Sequence, residues 1–84
     1  MIKLLLLTNN QILISNIEEV GVDIGEPDCK LIKPFLVNQS NETLSPWLID
    51  FSGQDTFMIS SDKIITIAEP SEKLLKKYED LIKE

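Results

Sequence analysis

Thr56-Phe57-Met58-Ile59-Ser60, Ser61-Asp62, Lys63-Ile64-Ile65-Thr66-Ile67-Ala68 is the stretch that decides the fold. Two runs rich in β-branched and apolar residues flank a connection of hairpin length, which predicts two paired strands. The second run carries a single charge, at its end, and proline follows only after its finish, at Pro70. A strand so lightly protected would template aggregation if left free, so a stable protein must pair it or cover it.

Upstream, short apolar runs alternate with turn chemistry. Residues 2–7 predict a first strand, and Thr8-Asn9-Asn10 a tight turn, because asparagine tolerates left-handed geometry and bonds its own backbone. Residues 11–20 predict a second strand, with Leu13, Ser15, Ile17 and Glu19 on one face and Ile12, Ile14, Asn16 and Glu18 on the other. It should begin buried on both sides and end in water. Gly21, Gly25 and Pro27, with the acids Asp23, Glu26 and Asp28, mark a loop. Residues 29–37 read as a third strand, broken or bulged at Pro34, and residues 38–45 as a polar loop. Residues 46–51 read as a short strand bearing Trp47, and residues 52–55 as a turn. Five or six short strands in this span predict a mainly β fold, a small antiparallel barrel over about residues 2–68.

Downstream the period changes. Leu74, Leu75, Tyr78, Leu81 and Ile82 fall on one stripe of a C-terminal α-helix over about residues 71–83. Ser71 is placed to cap it, with Glu72 in the first turn. Lys73, Lys76, Lys77 and Lys83 alternate with Glu79, Asp80 and Glu84 on the wet side. The helix should cover the barrel or lean on a neighbour, leaving residues 1–84 as one domain.

Composition narrows the function. The chain has 84 residues, 43% hydrophobic and 26% charged, an ordinary globular balance with a thin core. Its lone cysteine, Cys29, excludes an internal disulfide, and the absence of histidine excludes the usual zinc sites, so self-association is the remaining staple. Without histidine there is no imidazole base or serine–histidine pair, and all 8 basic residues are lysines, which removes arginine clamps. We therefore expect no enzyme, cofactor or metal. A net charge of −6 opposes broad nucleic-acid binding, although a local lysine cluster could bind. The apolar run at the start is shorter than a signal core of about 7–15 residues. No run approaches the roughly 20 apolar residues of a membrane span, so a cytoplasmic location is expected. The tripeptides Asn38-Gln39-Ser40 and Asn41-Glu42-Thr43 then read as polar loop and not as glycosylation sites.

Met58-Ile59-Ser60-Ser61-Asp62-Lys63-Ile64-Ile65-Thr66-Ile67 resembles the second signature of the Sm and Sm-like (Lsm, Hfq-like) family, apolar-Ile-Arg-Gly-Asp-Asn-Ile followed by apolar residues. The first signature can be laid on residues 10–25, with Leu13, Ile17 and Val20 at its apolar positions and Asn10 and Ser15 where glycines are common. Over its whole length, including Pro46-Trp47-Leu48, the chain also looks like the Sm-like proteins of marine cyanophages. The resemblance implies a strongly bent, five-stranded SH3-like barrel, here with its helix after the barrel and not before it. It also implies a closed homo-oligomeric ring of roughly five to seven subunits, in which the last strand pairs with the preceding strand of the next subunit. Thr56, Phe57, Met58 and Ile59 would then meet Ile64, Ile65, Thr66 and Ile67 across each seam. An aspartate, an asparagine and an arginine–glycine pair line the family's pore and hold a base. Gly21, Gly25, Ser60 and Ser61 stand at those positions here, so weak hydroxyl donors replace a cationic fork.

The candidate contacts for single-stranded RNA or DNA are Lys63, with Ser60, Ser61 and Asp62 beside it, and Lys30. In the plain reading, Lys63 is a turn lysine partly neutralised by Asp62. Lys30 and Lys33 join in one basic spot only if the strand bulges near Pro34. Trp47 and Phe35 would either stack on bases or fill core, and Cys29 is a reactive thiol or buried filler. Three readings follow: a ring that binds single-stranded nucleic acid in processing or regulation, an adaptor of a phage or host complex without nucleic acid, and, weakest, an enzyme using aspartate and lysine. A phage-encoded chain would work in the host cytoplasm.

Overall fold

The computed structural model describes residues 1–21, 23–48 and 51–83. β1 (Ile2–Leu7) and β2 (Ile12–Glu19) form an antiparallel hairpin registered from Leu6↔Ile12 to Ile2↔Asn16. Its turn forms as the asparagines suggest. Asn10 takes φ 69°, its N–H donates to Leu7 O at 2.9 Å, and the Asn9 side chain accepts from Gln11 N at 3.1 Å.

β3 (Cys29–Val37) lies antiparallel to β2, from Glu19↔Cys29 to Leu13↔Leu36, with a register shift between Ile14 and Asn16. The sequence explains the shift. Pro34 has no N–H to give the ladder, and Lys33 beside it takes φ 53°, so the strand bulges and bends there. The bend divides the outer edge of β3 between two partners. β4 (Leu44–Pro46) pairs beyond it, Phe35↔Pro46 to Val37↔Leu44, and β5 (Thr56–Ile59) pairs before it, Cys29↔Ile59 to Ile32↔Thr56.

β6 (Ile64–Ala68) pairs with β1, giving a six-stranded antiparallel sheet in the order β4-β3-β2-β1-β6, with β5 also on β3. Leu5, Leu7, Leu13 and Leu31 form its buried core, with Ile17, Leu36, Trp47, Ile59 and Ile64 packed against them. Ile14, on the face opposite Leu13, is also fully buried, so β2 does begin buried on both sides, while Glu18 and Glu19 are exposed.

α1 (Glu72–Ile82) starts where the sequence places it, with the Ser71 hydroxyl accepting from Leu74 N at 3.2 Å. Tyr78 is its only fully buried residue among those described. The Tyr78 ring meets Phe35 edge-on, with centroids 5.7 Å apart. Its hydroxyl reaches into the bulge, accepting from Asn16 N at 3.2 Å and facing the carbonyls of Lys33 at 2.9 Å and Ile32 at 3.2 Å. The Ser15 hydroxyl also donates to Ile32 O, at 3.1 Å. One phenol thus replaces ladder bonds that the bulge removes.

Two expectations are corrected. The strand expected over residues 46–51 is instead β4, two residues earlier, and Trp47 and Leu48 turn away with Leu48 at φ 61°. The reason is the bend: Trp47 N donates to Pro34 O at 2.9 Å, where the edge of β3 available to β4 ends. Ile49 and Asp50, part of that expected strand, lie outside the described residues. The connection expected to make a β5–β6 hairpin is a 3-10 turn, Ser61–Lys63, and the strands it joins pair with β3 and β1 and not with each other. Among the described residues the sheet is therefore open between β5 and β6.

Candidate functional site

The turn after β5 is built by its own polar side chains and by one carboxylate from the β2–β3 connection. Asp28 accepts twice from Ser61, Oδ1 from the backbone N–H and Oδ2 from the hydroxyl, both at 2.8 Å. These two donors hold the Asp28 carboxyl below its ordinary range. Asp62 is lowered as well, first by the Ser60 hydroxyl, which donates to Oδ1, and further by its own backbone N–H and the Lys63 charge. Both carboxylates stay ionised at neutral pH.

The consequence for a nucleic acid is direct. Ser60 and Ser61, the expected donors, already spend their hydroxyls on Asp62 and Asp28. Lys63 is exposed, its N–H donates to Ser60 O at 3.0 Å, and its carbonyl accepts from Thr8 N at 3.0 Å. No carboxylate lies in ion-pair contact with its ammonium among the described residues. Among the described residues the turn therefore offers one cation outside any ion-pair contact, beside two carboxylates.

The other expected cations are elsewhere. Lys30 sits on β3 between Glu18 of β2 and Met58 of β5 in the sheet register, and no ion pair is formed with Glu18 among the described residues. Lys33 lies at the bend, where its N–H donates to Asp55 O at 2.6 Å. Gly21 and Gly25 are exposed, Gly25 at φ 91°, and the loop that carries them joins the turn through Asp28. Trp47 and Phe35 are half-buried, Trp47 edge-on to Phe57 at 5.6 Å, which fits their packing role. Cys29 is buried, and burial, with Asp28 and Glu19 nearby, pushes its thiol up, away from the reactive thiolate.

The expected assembly strands show a second feature. β5 and β6 each pair along one edge, and the other edge of each has no strand partner among the described residues. Their side chains divide in two. Ile59 and Ile64 pack on the leucine core, and Thr56 and Phe57 are half-buried, whereas Met58, Ile65 and Ile67 are 48%, 57% and 52% exposed. Thr66 is exposed between them.

Asp28 is not legible from the sequence: it is one of three acids in a loop, and no local spacing ties it to Ser61. Among the described residues, no group of three or more metal-ligating side chains occurs, and no helix is long and apolar enough to cross a membrane. The model of a family of unknown function, DUF6561, matches residues 1–83. No curated protein matches the chain.

Proposed function

The chain belongs to the DUF6561 family, and on its geometry we propose that it is a non-catalytic, Sm-like subunit of a closed homo-oligomeric ring. The observation that carries this reading is the pair of edges on β5 and β6 that have no strand partner among the described residues, with Met58, Ile65 and Ile67 exposed beside them. These two strands end the path β5-β3-β2-β1-β6, yet only residues 60–63 join Ile59 to Ile64. So short a link forces the two ends of the sheet together, which supports the strongly bent, barrel-like form of the Sm fold. The gap between β5 and β6 is then a slot for strand addition. β6 of one subunit pairs with β5 of the next, and because the two surfaces differ the contact must close into a ring or grow as a filament. Closure at roughly five to seven subunits follows the family resemblance. Light scattering on a sizing column at micromolar concentration tests this. A monodisperse ring is expected; a monodisperse monomer refutes it.

The acidic company of the turn favours a structural or adaptor ring, of the kind a phage particle or a host complex would use. A second reading, weak binding of single-stranded RNA or DNA, rests on Lys63, the exposed cation that ring symmetry would repeat around one opening. It predicts retention of a labelled oligonucleotide at low salt, abolished by Lys63→Glu without change of oligomer mass. No retention by the parent leaves the adaptor reading alone.

A further inference from the structure

A cleft of about 280 Å³ opens between the bend of β3, the connection before β5 and the end of α1. Aromatic and imino rings form its walls: Phe35, Trp47 and Phe57, with Pro34 and Pro46. The walls are fixed, since Trp47 packs edge-on against Phe57 and Phe35 against Tyr78. Leu81, 48% exposed where the helical stripe should be covered, also faces this space. A cavity of about 150 Å³ holds benzene, so this one has room for a phenyl-sized body with a polar end. Apolar concavities with a few convergent polar groups are the usual form of small-molecule sites.

The polar lining is Gln54, whose amide donates to Thr56 O at 2.9 Å, and two opposite charges that are not paired with each other among the described residues. Lys33 and Asp55 both line the cleft. Their backbones are tied by the Lys33 N–H to Asp55 O bond, but no ion pair joins their side chains among the described residues. The Asp55 carboxylate accepts only from the Thr56 hydroxyl, at 3.3 Å, among the described residues. Lys33 stands at φ 53°, a left-handed position where glycine would sit without strain. The Tyr78 hydroxyl donates to its carbonyl and holds it there. A strained residue that the surrounding bonds over-determine, presented to a cavity, is a mark of a binding site.

We propose that this cleft binds a free α-amino acid with an aromatic or large branched side chain. The side chain lies against Trp47 and Phe57, the carboxylate meets Lys33 and the ammonium meets Asp55. Lys33 is half-buried and Asp55 exposed, so a ligand with one charge gains the attraction of one side chain only. The zwitterion satisfies both. This site stands apart from the ring reading, since its lining is built by a single chain.

Trp47 is the only tryptophan (Trp 1), so its emission reports occupancy of the cleft. The probes are L-phenylalanine, phenylpropionate, which lacks the ammonium, and phenethylamine, which lacks the carboxylate. L-phenylalanine should change the Trp47 emission saturably, with each analogue about tenfold weaker or worse. Lys33→Gln should reduce L-phenylalanine to the level of phenethylamine, and Asp55→Asn to that of phenylpropionate, with both variants melting cooperatively by circular dichroism. The crossed pattern separates recognition from damage. No saturable change, equal affinity for all three probes, or variants that weaken all three alike would overturn the proposal.

Discussion

Replacing Tyr78 with phenylalanine removes one oxygen atom from a fully buried side chain and leaves the ring and its packing against Phe35 in place. That oxygen accepts from Asn16 N and donates toward the carbonyls of Lys33 and Ile32. Ile32 O keeps the Ser15 hydroxyl, so the groups that lose this partner outright are the Asn16 N–H and Lys33 O. A buried polar group left unsatisfied costs about 1–3 kcal/mol. The bulge relaxes enough to moderate the sum, and about 2 kcal/mol is expected. For a domain of this size that lowers Tm by roughly 8–16 °C. Tyr78→Ala, which also empties the space under the helix, should cost about 3–5 kcal/mol, a large part of a typical total stability. The assay is thermal unfolding at matched protein concentration, since self-association makes Tm concentration-dependent. The pH dependence adds a sign. Burial raises the Tyr78 phenol above its ordinary value near 10. Its contribution is complete below that unfolded-state value and is lost as pH rises through the folded one. The gap between parent and Tyr78→Phe should therefore hold at neutral pH and narrow above about pH 10. A phenylalanine variant that melts with the parent at neutral pH would refute the role given to the hydroxyl.

Asp28→Asn should lower Tm at neutral pH, because the charge that holds Ser61 is lost. Since the folded carboxyl is depressed, that contribution exists above the unfolded value of 3.8 and disappears as pH falls through the folded one, so the two melting curves should converge in acid. A difference that persists unchanged at low pH would show that Asp28 does not act through its charge. Cys29 should react slowly with a disulfide reagent at neutral pH and rapidly once urea unfolds the chain; fast stoichiometric labelling of the native protein would contradict its burial.

Local signals in the sequence carried much of this fold, and non-local ones did not. The Thr8-Asn9-Asn10 turn, the Pro34 bulge and the Ser71 cap each depend on neighbours within a few residues, and each stands where the residues place it. The apolar run around Trp47 misled because it looked like a strand. Its neighbours are in fact a turn whose Leu48 and Phe51 remain exposed, and only the position of the β3 bend reveals that. The helical stripe showed that Tyr78 would be buried, but not that its hydroxyl would mend a defect between two strands. The turn at Ser60–Lys63 is legible in the sequence as a turn, but its acidic surroundings are not: Asp28 arrives from another loop and occupies the donors of Ser61.

The divided edge of β3 also sets an order of folding. The β1–β2 hairpin closes a short loop, and β3 adds to it across one further loop. β5 reaches back from Thr56 to Ile32, and β6 and Tyr78 reach back across much longer stretches of chain, from Ile67 to Leu5 and from Tyr78 to the amide of Asn16. Loop-closure entropy grows with separation, so these contacts are disfavoured until the three-stranded meander offers them a surface. The Asn16 N–H and the Lys33 carbonyl beside the β3 bulge, which the Tyr78 hydroxyl covers, are therefore expected to stay wet in the meander until the helix docks. Docking of Tyr78 is then expected among the late steps, together with closure of β6 onto β1.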